Sequence, residues 1–166
     1  MNDTSLPTIC LITPPSIFLL DERVFVNLGI LKVASVLEQA GYPLEMLDLS
    51  GIENYEEALK DHIRSSQAGI FGITSTTPQM PATAKIARVI RQEQPIARLI
   101  IGGPHVTLVH SAYKKENLES YDGRATKALQ QIMELFDVAV VGDGEEAIFE
   151  AVGPNPRHGF LYIYAE

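Results

Sequence analysis

Leu99-Ile100-Ile101-Gly102-Gly103-Pro104-His105-Val106-Thr107 is an apolar run that stops abruptly at two glycines, a proline and a histidine. A run this short and rich in isoleucine suits a strand buried on both faces of a parallel sheet. The C-terminal ends of such strands are where open α/β sheets take their ligands. Paired glycines there admit φ > 0 and leave no Cβ between the backbone and a bulky ligand. Pro104 then stiffens the exit of the loop. A plain tight turn uses Gly-Gly as well, so the meaning of the stretch depends on how the other strands end.

Residues 8–13 read as the first buried strand, broken by Pro14-Pro15, and a helix follows over 28–40, closed by Gly41. Residues 44–49 form a second strand, whose Asp48 either accepts a hydrogen bond from a ligand or caps the turn after it. Tyr55, Leu59 and Ile63 mark an amphipathic helix over 54–66 with acids in its first turn. The third strand, 69–75, ends in Ser75-Thr76-Thr77, and a helix starting near Pro81 turns Ala84, Ala87 and Ile90 inward. After the fourth strand, 97–102, residues 106–136 are longer than a simple connection needs. Tyr121-Asp122-Gly123 marks a turn there, and Ala125, Leu129, Ile132 and Phe136 trace a helix. The fifth strand, 137–141, leads into Gly142-Asp143-Gly144-Glu145-Glu146 and a helix over 145–152.

Strands alternating with helices at this spacing predict parallel pairing through right-handed crossovers. Five such units predict a doubly wound α/β fold, flavodoxin-like (Rossmann-like), with a five-stranded parallel sheet in the order 2-1-3-4-5 and a crevice where strands one and three diverge. Residues 1–7 are read as a leader, 8–152 as the folded domain, and 153–166 as a tail or linker stub to an absent domain.

Composition narrows the function. The 166 residues are 46% hydrophobic and 20% charged, as in a globular protein with a real core. No apolar run approaches the roughly 20 residues of a membrane span. Met1-Asn2-Asp3-Thr4 lacks the charged and apolar regions of a signal peptide, so a cytoplasmic location is expected. A net charge of −8 argues against nucleic acid. The single cysteine, Cys10, excludes a disulfide or iron–sulfur cluster within the chain and is read as a small core residue. His62 is read as packing, His110 and His158 as surface residues.

Four loops converge on the C-terminal edge: Thr13-Pro14-Pro15, Ser75-Thr76-Thr77, Gly102-Gly103-Pro104-His105 and Gly142-Asp143-Gly144-Glu145. They offer backbone, hydroxyls, one imidazole and a glycine-flanked acid, a set better suited to holding a large uncharged or amide-rich cofactor than to acid–base chemistry. Two prolines stand where a dinucleotide site needs Gly-x-Gly-x-x-Gly, and neither a P-loop nor a Gly-x-Ser-x-Gly elbow occurs. Pro14-Pro15 also stand where a flavodoxin-type phosphate loop wants glycines and hydroxyls. A phosphoacceptor receiver domain wants acids where Thr13 sits.

In order along the chain come Thr13-Pro14-Pro15, Asn27-Leu28-Gly29-Ile30, Leu37-Glu38-Gln39-Ala40-Gly41-Tyr42, Gly72-Ile73-Thr74-Ser75, Gly102-Gly103-Pro104-His105-Val106-Thr107 and Gly142-Asp143-Gly144-Glu145-Glu146. This succession resembles the N-terminal cobalamin (B12)-binding domain of many radical S-adenosylmethionine enzymes. That group includes corrinoid-dependent methyltransferases and the anaerobic magnesium-protoporphyrin monomethyl ester cyclase of tetrapyrrole biosynthesis. The likeness covers about residues 8–152. Asn27 replaces a frequent proline, the segment between His105 and Asp137 is long, and the cluster motif Cys-x-x-x-Cys-x-x-Cys is absent.

The resemblance implies a binding module, not an enzyme on its own, that serves a radical S-adenosylmethionine domain in cis or in trans. The loop after the first strand has no histidine where other B12 proteins carry Asp-x-His-x-x-Gly, which implies base-off cobalamin without an axial histidine. Its nucleotide tail would run into the crevice, held by Ser75 and Thr76 and passing Gly102 and Gly103. Gly142 and Gly144 would lie along the other side, with Glu145 accepting from an amide or ribose hydroxyl. Thr13, Pro14, Pro15, Leu28, Gly29, Pro104 and His105 complete the expected cofactor contacts; no catalytic or metal-ligating residue is assigned. Two other readings stay open: a cofactor-free regulatory or protein-interaction domain, and a flavin-binding protein.

Overall fold

Pro14-Pro15, Gly41 and Gly102-Gly103 end elements where local chemistry says they should, and between them the chain winds β-α-β throughout. The computed structural model describes residues 5–16, 27–154, 156 and 159–163. The elements are β1 (Ile9–Thr13), α1 (Leu28–Gln39), β2 (Leu44–Asp48), α2 (Tyr55–Ser65), β3 (Ile70–Thr74), α3 (Met80–Glu93), β4 (Arg98–Gly102), α4 (Pro104–Leu118), α5 (Arg124–Leu135), β5 (Val138–Gly142), α6 (Gly144–Val152) and β6 (Gly159–Ile163). A short 3₁₀ turn, Thr77–Gln79, precedes α3. The expectation for the N-terminal four residues and for His158 lies outside the described residues.

All strands pair in parallel, in the order β2-β1-β3-β4-β5-β6. The expected order 2-1-3-4-5 is present, and the segment read as a tail adds a sixth strand beside β5. That addition is a further β-α-β unit, since α6 carries the chain across one face before β6 returns.

Period-two alternation along the strands sorts the core into two layers. Cys10, Ile12, Phe71, Ile73, Leu99 and Ile101 point to one face, where α2, α3, α4 and α5 pack with Leu59, Ile86, Val106 and Ile132. Ile9, Leu11, Ile70, Ile100, Val138 and Val140 point to the other, covered among the described residues by α1 (Ile30, Leu37) and α6 (Ala147, Ile148, Ala151). Two helices cannot cover six strands. They touch where Gly144 faces Val33, a Cβ on Gly144 falling 3.0 Å from Val33 Cγ2, and among the described residues the centre of the sheet is open at its C-terminal end.

The long connection after β4 holds two helices, α4 and α5. Glu116 of α4 closes the turn between them, its carboxylate accepting from the N–H groups of Gly123, Ala125 and Thr126 and from the Thr126 hydroxyl. His110 corrects the surface reading: it is 3% exposed on the inner side of α4. That burial, with Lys114 nearby, lowers its pKa.

Candidate functional site

The opening between α1 and α6 is a cleft of about 650 Å³ at the C-terminal edge of the sheet. Its floor consists of Leu11, Gly72, Thr74, Ile100, Gly102 and Val140, residues that alternate onto this face of the central strands. Asn27, Gly29, Ile30 and Val33 line it from α1, and Gly144, Glu145 and Ile148 from α6. Gly103, Pro104, Thr107 and Leu108 close the end beneath β4. The floor is low because two of its positions lack side chains. A Cβ on Gly72 would come within 2.8 Å of Leu11 Cδ2, whereas one on Gly102 would find only ordinary contacts, the nearest being Val140 O at 3.8 Å.

The loops at the edge are fastened to one another. Gly103 has φ +99, and a Cβ there would lie 2.8 Å from the Ser75 nitrogen. This close approach lets Ser75 N–H donate to Gly102 O (2.9 Å) and His105 N–H donate to Ser75 O (3.0 Å). Gly142, at φ 80, donates its N–H to Thr107 Oγ1 (3.2 Å), and the same hydroxyl donates to Gly103 O (3.3 Å). Thr107 thereby ties the loop after β4 to the loop after β5. Gln79, buried, ties the other pair: its Nε2 donates to Pro14 O (2.8 Å) while Oε1 accepts from Thr76 N–H (3.0 Å).

Charge enters at one rim. Lys32 of α1 and Glu145 of α6 form an ion pair at 3.2 Å. The Glu145 carboxyl is held below its ordinary range, first by a hydrogen bond from its own backbone N–H and then by Lys32. Glu145 and Glu146 lie in the first turn of α6, where the helix dipole favours acids.

The sequence-predicted residues divide here. Gly29, Thr76, Gly102, Gly103, Pro104, Gly142, Gly144 and Glu145 line the cleft. Thr13, Pro14, Pro15, Leu28, Ser75 and His105 are outside that lining. Ser75 Oγ is turned into the interior, 3.0 Å from Thr83 Oγ1 and donating to Thr76 O at 3.1 Å. His105 Nδ1 sits 3.0 Å from Thr77 Oγ1, and burial lowers its pKa. Asp48 caps, its Oδ1 accepting from Ser50 N–H at 3.0 Å. Thr107 stands in the sequence only as the end of a motif; its i+4 spacing from Gly103 was the signal that it could reach back. Asn27 stands in the sequence as a motif member in place of a frequent proline, and Lys32 and Leu108 carried no signal beyond their neighbourhood.

His62 is more than packing, since its Nε2 lies 2.9 Å from Glu45 Oε2. Among the described residues no helix is long and apolar enough to cross a membrane.

A family model described as the B12 binding domain matches residues 22–133, about two thirds of the chain. Two solved structures similar to it are both of the radical S-adenosylmethionine methyltransferase TsrM from Kitasatospora setae. The one with tryptophan substrate and the SAM analog aza-SAM bound matches with a TM-score of 0.60 at 15% identity, over 87% of this chain and 25% of that chain. The one with cobalamin and a [4Fe-4S] cluster bound matches with a TM-score of 0.52 at 16% identity, over 75% of this chain and 25% of that chain. The chain thus spans a quarter of the length of these proteins. No curated protein sequence matches it.

Proposed function

Because the chain belongs to the B12 binding domain family, we propose that it holds cobalamin base-off, with the nucleotide tail in the cleft between α1 and α6, for a radical S-adenosylmethionine domain supplied in cis or in trans. The observation that carries this reading is the side-chain-free floor at Gly72 and Gly102, in a mostly apolar trough of about 650 Å³. That volume is in the range of small-molecule sites and takes a part of a corrinoid, so the ring would rest at the mouth. Leu28 and Leu108, 70% and 64% exposed, offer apolar surface there.

The fit of this chain's residues to such a group is polar as well as steric. Glu145 places an ionised carboxylate at the cleft, able to accept from an amide or a ribose hydroxyl, while the Thr76 and Thr107 hydroxyls hold the loops around it, donating to Gln79 Oε1 and Gly103 O. Ser75 supports the loop rather than the ligand. Pro14, Pro15 and Thr13 shape the end of β1, and His105 braces Thr77 at the neighbouring loop. None of the three described histidines, His62, His105 and His110, lines the cleft, which favours a cobalt without an axial imidazole from this domain. A bound corrinoid supplies a cobalt centre that exchanges methyl groups or joins radical chemistry. The chain's own residues bind, orient and exclude water. We assign the reaction to the partner domain.

An ultraviolet–visible titration of the purified chain with hydroxocobalamin at neutral pH tests this. Saturable binding with a base-off spectrum is expected. A base-on spectrum at saturation would remove the tail-in-cleft arrangement, and no saturation at high micromolar cobalamin would remove the cofactor reading altogether.

A further inference from the structure

On the face of the sheet opposite the cleft, Cys10 of β1, Glu45 of β2 and His62 of α2 bring a sulfur, an oxygen and a nitrogen within 4.8 Å of one another. We infer that these three side chains form a zinc-type divalent-cation site with a fourth, open position. The register pairs Cys10 with Glu45 across β1 and β2, so the two side chains leave the same face of the sheet, and α2 lays His62 over both.

The geometry separates this cluster from a nucleophilic triad. In a triad the imidazole uses one nitrogen toward the nucleophile and the other toward the carboxylate. Here His62 Nε2 alone lies 3.6 Å from Cys10 Sγ and 2.9 Å from Glu45 Oε2. The sulfur and the oxygen therefore gather around one nitrogen, all three within 4.8 Å of one another. Tetrahedral zinc with ordinary Zn–S and Zn–N bonds holds its sulfur and nitrogen about 3.5 Å apart, close to the distance already present. The nitrogen and oxygen would have to part by about 0.5 Å to reach tetrahedral spacing. Sulfur, imidazole and carboxylate together are the donor set of zinc sites, and three protein ligands leave room for water.

The carboxylate is also held from outside, as ligating groups are. Ser66 Oγ donates to Glu45 Oε2 at 2.6 Å, and Gln67 N–H donates to Oε1 at 3.2 Å. Cys10 is wholly buried, while His62 and Glu45 keep 26% and 23% of their side chains exposed, a route for the ion and its water. Without a cation the thiol is protonated: burial and the neighbouring Glu45 charge push it up to about 12. Uptake would break the S–H bond, form the metal–sulfur bond and release that proton to solvent.

Cobalt(II) ion added to the corrinoid-free chain gives the test, because Cys10 is the only cysteine. Any thiolate-to-cobalt charge-transfer band must come from it. The expected result is one equivalent of cobalt producing that band, zinc bleaching it, and proton release on binding. His62→Ala should weaken cobalt binding by more than about 100-fold, beyond the loss an outer-shell change brings, with circular dichroism reporting the fold. Glu45→Gln, which keeps the side chain's shape, should weaken it as well. No charge-transfer band at millimolar cobalt, or a band as tight in both variants as in the parent, would overturn the site.

Discussion

Glu116 is a charged residue at an inward position of α4, 7% exposed, and it replaces a side-chain cap that α5 lacks. Burial alone would raise its pKa. The hydrogen bonds from Ala125 N–H, the Thr126 hydroxyl and N–H, and Gly123 N–H outweigh burial and hold it below the ordinary 4.5. A carboxyl depressed in the folded state stabilises fully above its unfolded value, and that contribution is lost as pH falls through the folded value. In urea unfolding, Glu116→Gln should therefore be less stable than the parent by a constant margin above pH 4.5, and the margin should shrink below it. A margin independent of pH would show that shape rather than charge closes the turn. Nothing local in the sequence announced this role. Glu116 sits beside Lys114-Lys115 and reads as one more surface charge until α5 is folded back onto it.

At the scale of elements, the loop after β4 puts two adjacent glycines to different uses. Gly102 faces the cleft with room for a Cβ, while Gly103 has φ +99 and no room. Gly102→Leu should keep an unfolding midpoint near that of the parent yet bind hydroxocobalamin about 5- to 150-fold more weakly, the cost of filling the floor being on the order of 1–3 kcal/mol. Gly103→Ala should lose about 1–3 kcal/mol of stability through backbone strain alone, before any ligand is added. Chemical denaturation of both variants beside a cobalamin titration checks the division. The pair Gly-Gly was legible as special, but only the register of β4 against β3 assigns the two roles. The helix α4 was illegible for a different reason. Its inward side carries His110 and Glu116 among the valines, so the apolar period that betrays a helix is blurred.

At the scale of the molecule, and among the described residues, the sheet separates two cores, one under four helices and one under two. Leu59 lies wholly buried in the four-helix layer, on the face away from the cleft. Leu59→Ala should cost about 2–5 kcal/mol without weakening cobalamin binding. Cobalamin at about 100 times its dissociation constant should stabilise parent and variant alike by about 2.7 kcal/mol, a rise of about 5–11 °C in Tm. Thermal melts with and without the cofactor measure both effects. An increment lost in Leu59→Ala would mean that the cleft depends on the far core.

Periodicity and punctuation are local properties, and they determined a good deal by themselves. Short isoleucine- and valine-rich runs, helical spacing between them, and glycine or proline at each break specify a parallel sheet whose loops meet at one edge. The succession of those loops also carried the likeness to B12-binding domains. What a side chain does at the edge is not local. Ser75 points inward and Thr76 to the cleft because the positive φ of Gly103 draws the backbone of one loop against the other. Cys10, Glu45 and His62 lie 35 and 17 positions apart in turn, and only strand register and the crossover of α2 bring their donor atoms together. The tertiary structure decided these matters because each depends on which face of the sheet a helix covers, a choice made by the whole chain.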